Sequence, residues 1–165
     1  MKKIIVFICL TLCFISCKKS SFFSNFDEID YYRLKNESVL EDESIDFISK
    51  KVLFEDYPTA LTDSLFIKNL NLNYNSKKMF SKLDITNFKN IFNSNTFTNQ
   101  YTTACVPKFK DILILKKTNK IVGVVKICIE CEMNYIVGKN EKEEAISNSG
   151  GLEPIDLEKL IKKYK

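Results

Sequence analysis

Phe109-Lys110-Asp111-Ile112-Leu113-Ile114-Leu115-Lys116-Lys117-Thr118-Asn119-Lys120-Ile121-Val122-Gly123-Val124-Val125-Lys126-Ile127-Cys128-Ile129 is a pair of apolar runs around a short polar turn. A strand with one wet face alternates apolar and polar residues. These runs do not alternate: Ile112 to Leu115, and Ile121 to Ile129 apart from Lys126, are apolar on both faces. The pattern predicts a hairpin in the middle of a covered sheet, turning through Lys117-Thr118-Asn119-Lys120. Gly123 inside the second run reads as a close backbone approach or a bulge rather than a phosphate loop.

Beyond the hairpin, Met133 to Val137 extends or follows it, and Asn140 to Gly151 reads as a charged, then glycine-containing loop. Pro154 to Tyr164 is a short amphipathic helix with Leu157, Leu160 and Ile161 on one side. Lys162 and Lys163 stand in its last turn, where the helix dipole favours cations. Toward the N-terminus, Asn93 to Thr103 is rich in Asn and Thr and is expected to be an exposed loop. Phe88, Ile91 and Phe92 suggest a short helix opening at Thr86, and Asn71 to Lys78 a polar loop. Leu65, Phe66 and Leu70 fit a helix within Thr62 to Leu72, capped by Asp63 or Thr62. Pro58 ends whatever precedes it. Ile45, Ile48 and Val52 recur at helical spacing, with Asp42 or Ser44 as cap. Phe26 to Leu34 reads as a strand. The expected fold is α+β: an antiparallel sheet with a central hairpin and a few short helices packed on it, in one domain spanning residues 26 to 165.

The first residues concern location. Met1-Lys2-Lys3 is a basic start, Ile4 to Ile15 an apolar run, and Phe14-Ile15-Ser16-Cys17 places a small residue directly before a cysteine. The run is too short to span a bilayer and has the layout of a secretory signal. With its cysteine it resembles the lipobox of bacterial lipoproteins, which implies cleavage after Ser16 and acylation of Cys17. Residues 17–25 would then be the lipidated cysteine and a tether whose Lys18–Asn25 part reaches at most about 26 Å. Lys18 differs from the Asp that retains some lipoproteins at the inner membrane, which favours the outer membrane.

Composition excludes several classes. The chain has no His, which removes the commonest general base and metal ligand together and forbids a Ser-His-Asp triad. The formal charge is +4. Without Lys2 and Lys3 it is about +2, too small to suggest nucleic acid. The clusters Glu41-Asp42-Glu43 and Glu141-Lys142-Glu143-Glu144 lack the spacing of a calcium loop and read as solvated faces.

Cys105, Cys128 and Cys131 are the remaining candidate site, with Cys128-Ile129-Glu130-Cys131 forming a C-x-x-C. A thiol redox site usually opens a helix, whereas this motif ends a strand. A zinc site would need a fourth ligand from Asp111, Glu130, Glu132 or water. A structural disulfide is the third reading. A two-residue turn pairs Lys117 with Lys120 and sets Cys105 opposite Glu132; a three-residue turn sets it opposite Cys131, within bonding range. The expectation is a Cys105–Cys131 bond with Cys128 left as a free thiol about 10 Å along the strand. A Cys105–Cys128 bond is the fallback, since Pro107 could break the ladder before Cys105.

Taken together, Cys105-Val106-Pro107, Asp111-Ile112-Leu113-Ile114, Lys120-Ile121-Val122-Gly123, Lys126-Ile127-Cys128-Ile129-Glu130-Cys131 and Ile136-Val137-Gly138 resemble a group of uncharacterised bacterial cell-envelope lipoproteins. The pattern of that group runs roughly C-x-P-x-x-R-D-I-L-I-F, K-I-I-G, K-I-C-F-x-C, I-V-G. The likeness covers about a fifth of the chain. Lys110 stands in place of Arg and Ile129 in place of Phe, and Ser147 to Gly151 replaces a Phe-Gly-containing stretch. The resemblance implies an envelope lipoprotein with the three cysteines as one constellation, and carries no activity with it. The expected function is therefore a non-enzymatic binding or interaction domain, inhibitor- or immunity-like, held to a membrane through lipid on Cys17 and facing an envelope protein partner, with no cofactor. The alternative is a metal-binding or thiol-redox protein working through Cys105, Cys128 and Cys131.

Overall fold

The computed structural model describes residues 26–75, 78–94, 105–139, 145–151 and 154–165. The leader, Cys17 and the tether lie outside the described residues, as does nearly all of the expected Asn93–Thr103 loop.

The hairpin forms as read. Strands β3 (Asp111–Lys117) and β4 (Lys120–Cys128) meet at a two-residue turn. Thr118 and Asn119 both have positive φ, at 49° and 63°, the geometry whose twist matches that of the flanking strands. The register then shifts. Lys116 pairs with Ile121 but Leu115 pairs with Gly123, so Val122 is an extra residue in a bulge. Gly123 belongs there for lack of room: a Cβ at this position would lie 3.0 Å from Leu115 Cδ1.

Around the hairpin the described residues form a sheet of six antiparallel strands in the order β2-β1-β3-β4-β5-β6. The others are β1 (Glu28–Arg33), β2 (Lys78–Met79), β5 (Met133–Lys139) and β6 (Ala145–Gly151). Strand β2 begins at Lys78, the last residue of the expected 71–78 loop, and the first three residues of that loop, Asn71 to Asn73, belong to a helix instead. Strand β6 corrects the reading of 140–151 as a loop, its backbone pairing with β5 over its full length.

Helices cover both faces of the sheet, which is why β3 and β4 are apolar on both. Helices α1 (Phe47–Phe54) and α2 (Ser64–Asn73) cover one face. There Val52, Leu53, Phe66 and Leu70 pack on Ile112, Ile114, Val124 and Val137. Helices α3 (Lys82–Ser94) and α4 (Pro154–Lys162) cover the other. There Ile85, Phe88, Leu157, Leu160 and Ile161 pack on Leu113, Leu115, Val125 and Ile127. Each such side chain taken fully out of water contributes about 1.5–3 kcal/mol before entropy is charged against it.

The caps explain where the helices begin. Asp46, rather than Asp42 or Ser44, caps α1, accepting from the Ile48 and Ser49 N–H groups at 3.0 Å each. Asp63 caps α2 as expected, accepting from Leu65 and Phe66. Helix α3 opens four residues before Thr86. Ser81 Oγ caps it, accepting from the Asp84 N–H and donating to the Asp84 carboxylate, while the Ser81 N–H bonds to the Tyr164 hydroxyl.

Candidate site around the three cysteines

Strand β4 ends at Cys128, and Ile129–Glu132 forms a tight turn into β5. The Glu132 N–H bonds back to the Ile129 carbonyl at 3.1 Å, and Glu132 takes a positive φ. The segment from Cys105 to Lys110 precedes β3 and lies outside the sheet ladder. It is fixed at several points: the Phe109 N–H bonds to the Leu53 carbonyl, and the buried Tyr74 hydroxyl donates to the Phe109 carbonyl.

Cys105 and Cys131 are joined by a disulfide, with Cα atoms 5.8 Å apart. The expected pairing is therefore present, but its expected geometry is not. Beyond the Val122 bulge, paired residue numbers no longer follow the turn, and no ladder extends to Cys105. The bond ties an irregular segment to the β4–β5 turn instead of crossing two strands. The turn also brings Cys131 back toward Cys128: the Cys131 backbone N–H points at the Cys128 sulfur, and both residues belong to one buried cluster.

Cys128 is a free thiol, 1% exposed. The backbone N–H groups of Lys108 and Cys131 point at its sulfur, the Lys108 nitrogen at 3.3 Å, and the sulfur stands 3.8 Å from Glu130 Oε2. Burial pushes the thiol pKa up, and a thiol held protonated and out of water is a poor nucleophile.

The candidate fourth ligands are scattered. Asp111 points to the α3/α4 face of the sheet and Cys128 to the α1/α2 face. The Asp111 carboxylate accepts from the Tyr31 hydroxyl at 2.5 Å and takes both oxygens to Arg33, at 2.9 and 3.0 Å. Glu130 pairs with Lys110 at 2.7 Å, and Glu132 is exposed. With two of the three thiols spent on the disulfide, no group of three or more His, Cys, Asp or Glu side chains among the described residues is arranged to hold a metal ion.

Two features escaped the sequence reading. One is a chain of charges along the end of the sheet. Arg33 joins Asp111 to Glu37, and Lys110 joins Glu37 to Glu130 at 2.8 and 2.7 Å. These pairs knit the short 3₁₀ turn Glu37–Leu40 to the cysteine turn. The other is Lys126, which is 0% exposed. Its ammonium group donates to the Glu55 carbonyl at 2.5 Å and the Lys51 carbonyl at 3.4 Å, and lies 4.2 Å from the centre of the Phe109 ring. It thus occupies the C-terminal end of α1, where carbonyls lack helical partners. Burial drives its pKa well below the ordinary lysine value. A lone charge inside an otherwise apolar strand was the only sequence signal of it.

No family model, curated protein or solved structure matches this chain. No helix among the described residues is long and apolar enough to cross a membrane.

Proposed function

We propose that the chain is a membrane-anchored envelope lipoprotein. In this reading lipid on Cys17 holds a non-enzymatic binding domain, inhibitor- or immunity-like, against an envelope protein partner. The observation that carries the reading is the Cys105–Cys131 disulfide, because such bonds persist in oxidising compartments and are rare in reducing ones. The leader ending Phe14-Ile15-Ser16-Cys17 and the resemblance to envelope lipoproteins support the same location. The competing metal or thiol chemistry would have to proceed through a buried Cys128 whose two companions are bonded to each other.

Intact mass of the protein exported to an oxidising periplasm, alkylated without reduction, tests the reading. The expected result is one alkylated thiol after denaturation, no bound metal in the native spectrum, and an acyl mass on Cys17. Cys17→Ser should move the protein from the membrane fraction to the soluble one. Retention of Cys17→Ser in the membrane fraction would end the anchor proposal. Three protected thiols with a bound metal would replace the binding reading with the metal one.

A further inference from the structure

The helical layers on the two sides of the sheet carry opposite charge. Residues 37–75, which hold α1 and α2, contain eight Asp and Glu against three Lys, a formal charge of −5. Residues 78–94 and 154–165, which hold α3 and α4, contain seven Lys against three acids, a formal charge of +4. On the α3/α4 side Lys82, Lys159, Lys162, Lys163 and Lys165 are exposed. Two of the acids there already hold lysines: Asp84 is buried and bonded to Lys163, and Glu158 is bonded to Lys162. Leu83, next to Lys82, is 68% exposed. Phe26 belongs to the same layer and packs on Phe88, so the stretch from Cys17 joins the domain here. That stretch opens with Lys18-Lys19 and contains no acid.

We propose that the α3/α4 layer docks on the anionic headgroups of the bilayer that holds Cys17. The inference rests on the anchored reading above. Each lysine brought to an anionic lipid surface is worth about fivefold in partitioning. The same surface repels the acidic α1/α2 side, so attraction and repulsion select one orientation. Leu83 is an apolar side chain among lysines, the composition of surfaces that enter the headgroup region. An acidic protein would answer the same charge, but the point of entry favours lipid. Phe26 follows Cys17 by nine positions, a reach of roughly 30 Å at most, so this layer meets the bilayer before it meets a soluble partner. A charge of +4 at about fivefold each corresponds to a dissociation constant of about 1 mM in lipid. That is too weak to retain the protein without its acyl chains, so the contact sets orientation and leaves retention to Cys17.

Vesicle experiments on the mature protein purified from its own membrane test the docking. Flotation with neutral phosphatidylcholine vesicles reads the anchor alone. A dye on Leu83→Cys, with quenchers carried by the lipid, reads the docking. On vesicles containing about a third phosphatidylglycerol, quenching at 83 should exceed that of a dye on Leu65→Cys, exposed on α2, by at least about fivefold. It should vanish on neutral vesicles, and in about 0.5 M salt, where the screening length is roughly 4 Å. Lys82→Gln with Lys162→Gln removes two charges from the docking face and should weaken the docked state about 25-fold. Lys50→Gln with Lys68→Gln removes two charges from the opposite side and should leave it in place. A protein that floats on neutral vesicles but is quenched equally at 83 and 65 on anionic ones keeps its anchor and overturns the docking. Quenching at 83 that survives high salt or the Lys82/Lys162 change also overturns it. A protein that does not float on neutral vesicles overturns the anchored reading itself. Binding of polyglutamate without quenching on anionic vesicles would overturn the proposal in favour of an acidic protein partner.

Discussion

Replacing Cys105 and Cys131 together by alanine, with Cys128 intact, deletes the bond that spans 26 positions of chain. In the chain-entropy account, closing a loop of that length raises the free energy of the unfolded state by about 3.5 kcal/mol at 25 °C. A domain of about 140 residues unfolds with an entropy near 0.3 kcal/mol/K at its midpoint, so losing the bond should lower Tm by about 12 °C. Both cysteine side chains are partly or wholly buried, so part of any loss in the double variant is packing. The separating comparison is the wild-type protein, oxidised and then reduced, which loses the bond and keeps both sulfurs. Scanning calorimetry on the three samples, with guanidinium unfolding to check that the m-value reports a looser denatured chain, decides the matter. A drop of about 12 °C in both the reduced protein and the variant supports the entropic origin. If reduction lowered Tm by less than about 3 °C while the variant fell much further, the cysteines would be acting as packed side chains and the loop-closure argument would be wrong.

Three other expectations follow from single sites. Burial holds the Lys126 amine pKa well below its unfolded value of 10.5. Between those two values the unfolded chain binds more protons, so stability should rise with pH by up to about 1.4 kcal/mol per unit. Lys126→Met should flatten that rise in urea titrations from pH 8 to 10, and an unchanged slope would show that the amine is not the titrating group. The hydrogen bond from Lys163, and then that from the Tyr164 hydroxyl, bring the Asp84 carboxylate down to about 2 from 3.8. Its stabilisation is complete above about pH 4 and is lost as pH falls through about 2. Asp84→Asn should accordingly lower stability at neutral pH and lessen the acid dependence between pH 4 and 2. At the hairpin, Thr118→Asn with Asn119→Gly suits the positive φ of both residues and should stabilise by roughly 1 kcal/mol, read as a rise in Tm.

The hairpin was legible because two apolar runs around Lys117–Lys120 leave little alternative. The unbroken apolar pattern of β3 and β4 also announced the covered sheet. Gly123 announced a bulge or a close approach, and the structure has both beside it, but the sequence did not say that Val122 would be the extra residue or how the register beyond it shifts. For the same reason the cysteine pairing came out correctly from a register that the fold does not use. Strand β6 was missed because Ser147-Asn148-Ser149-Gly150-Gly151 is turn-forming by propensity, and pairing with β5 overrides that preference. The start of α3 was written in Ser81 and Asp84, a serine and an acid three positions apart, but was displaced to Thr86 by reliance on Phe88, Ile91 and Phe92 alone. The charge chain from Asp111 through Arg33, Glu37 and Lys110 to Glu130 joins residues far apart in sequence, so only the folded chain could reveal it.

Phe26, the first described residue, is buried under α3 against Phe88, and Tyr164, next to the last residue, stacks on Phe80 in the same layer. The polypeptide thus enters and leaves on one side of the sheet, while the disulfide and Cys128 belong to the other. Were the chain anchored through Cys17 as proposed, a leash whose Lys18–Asn25 part reaches at most about 26 Å would leave a domain with a radius of gyration of about 14 Å little freedom to turn over. The α3/α4 layer would then act as a floor toward the lipid. The cysteine turn, with Val106 70% exposed beside it, would stand on the roof, where something approaching from the aqueous side meets it first.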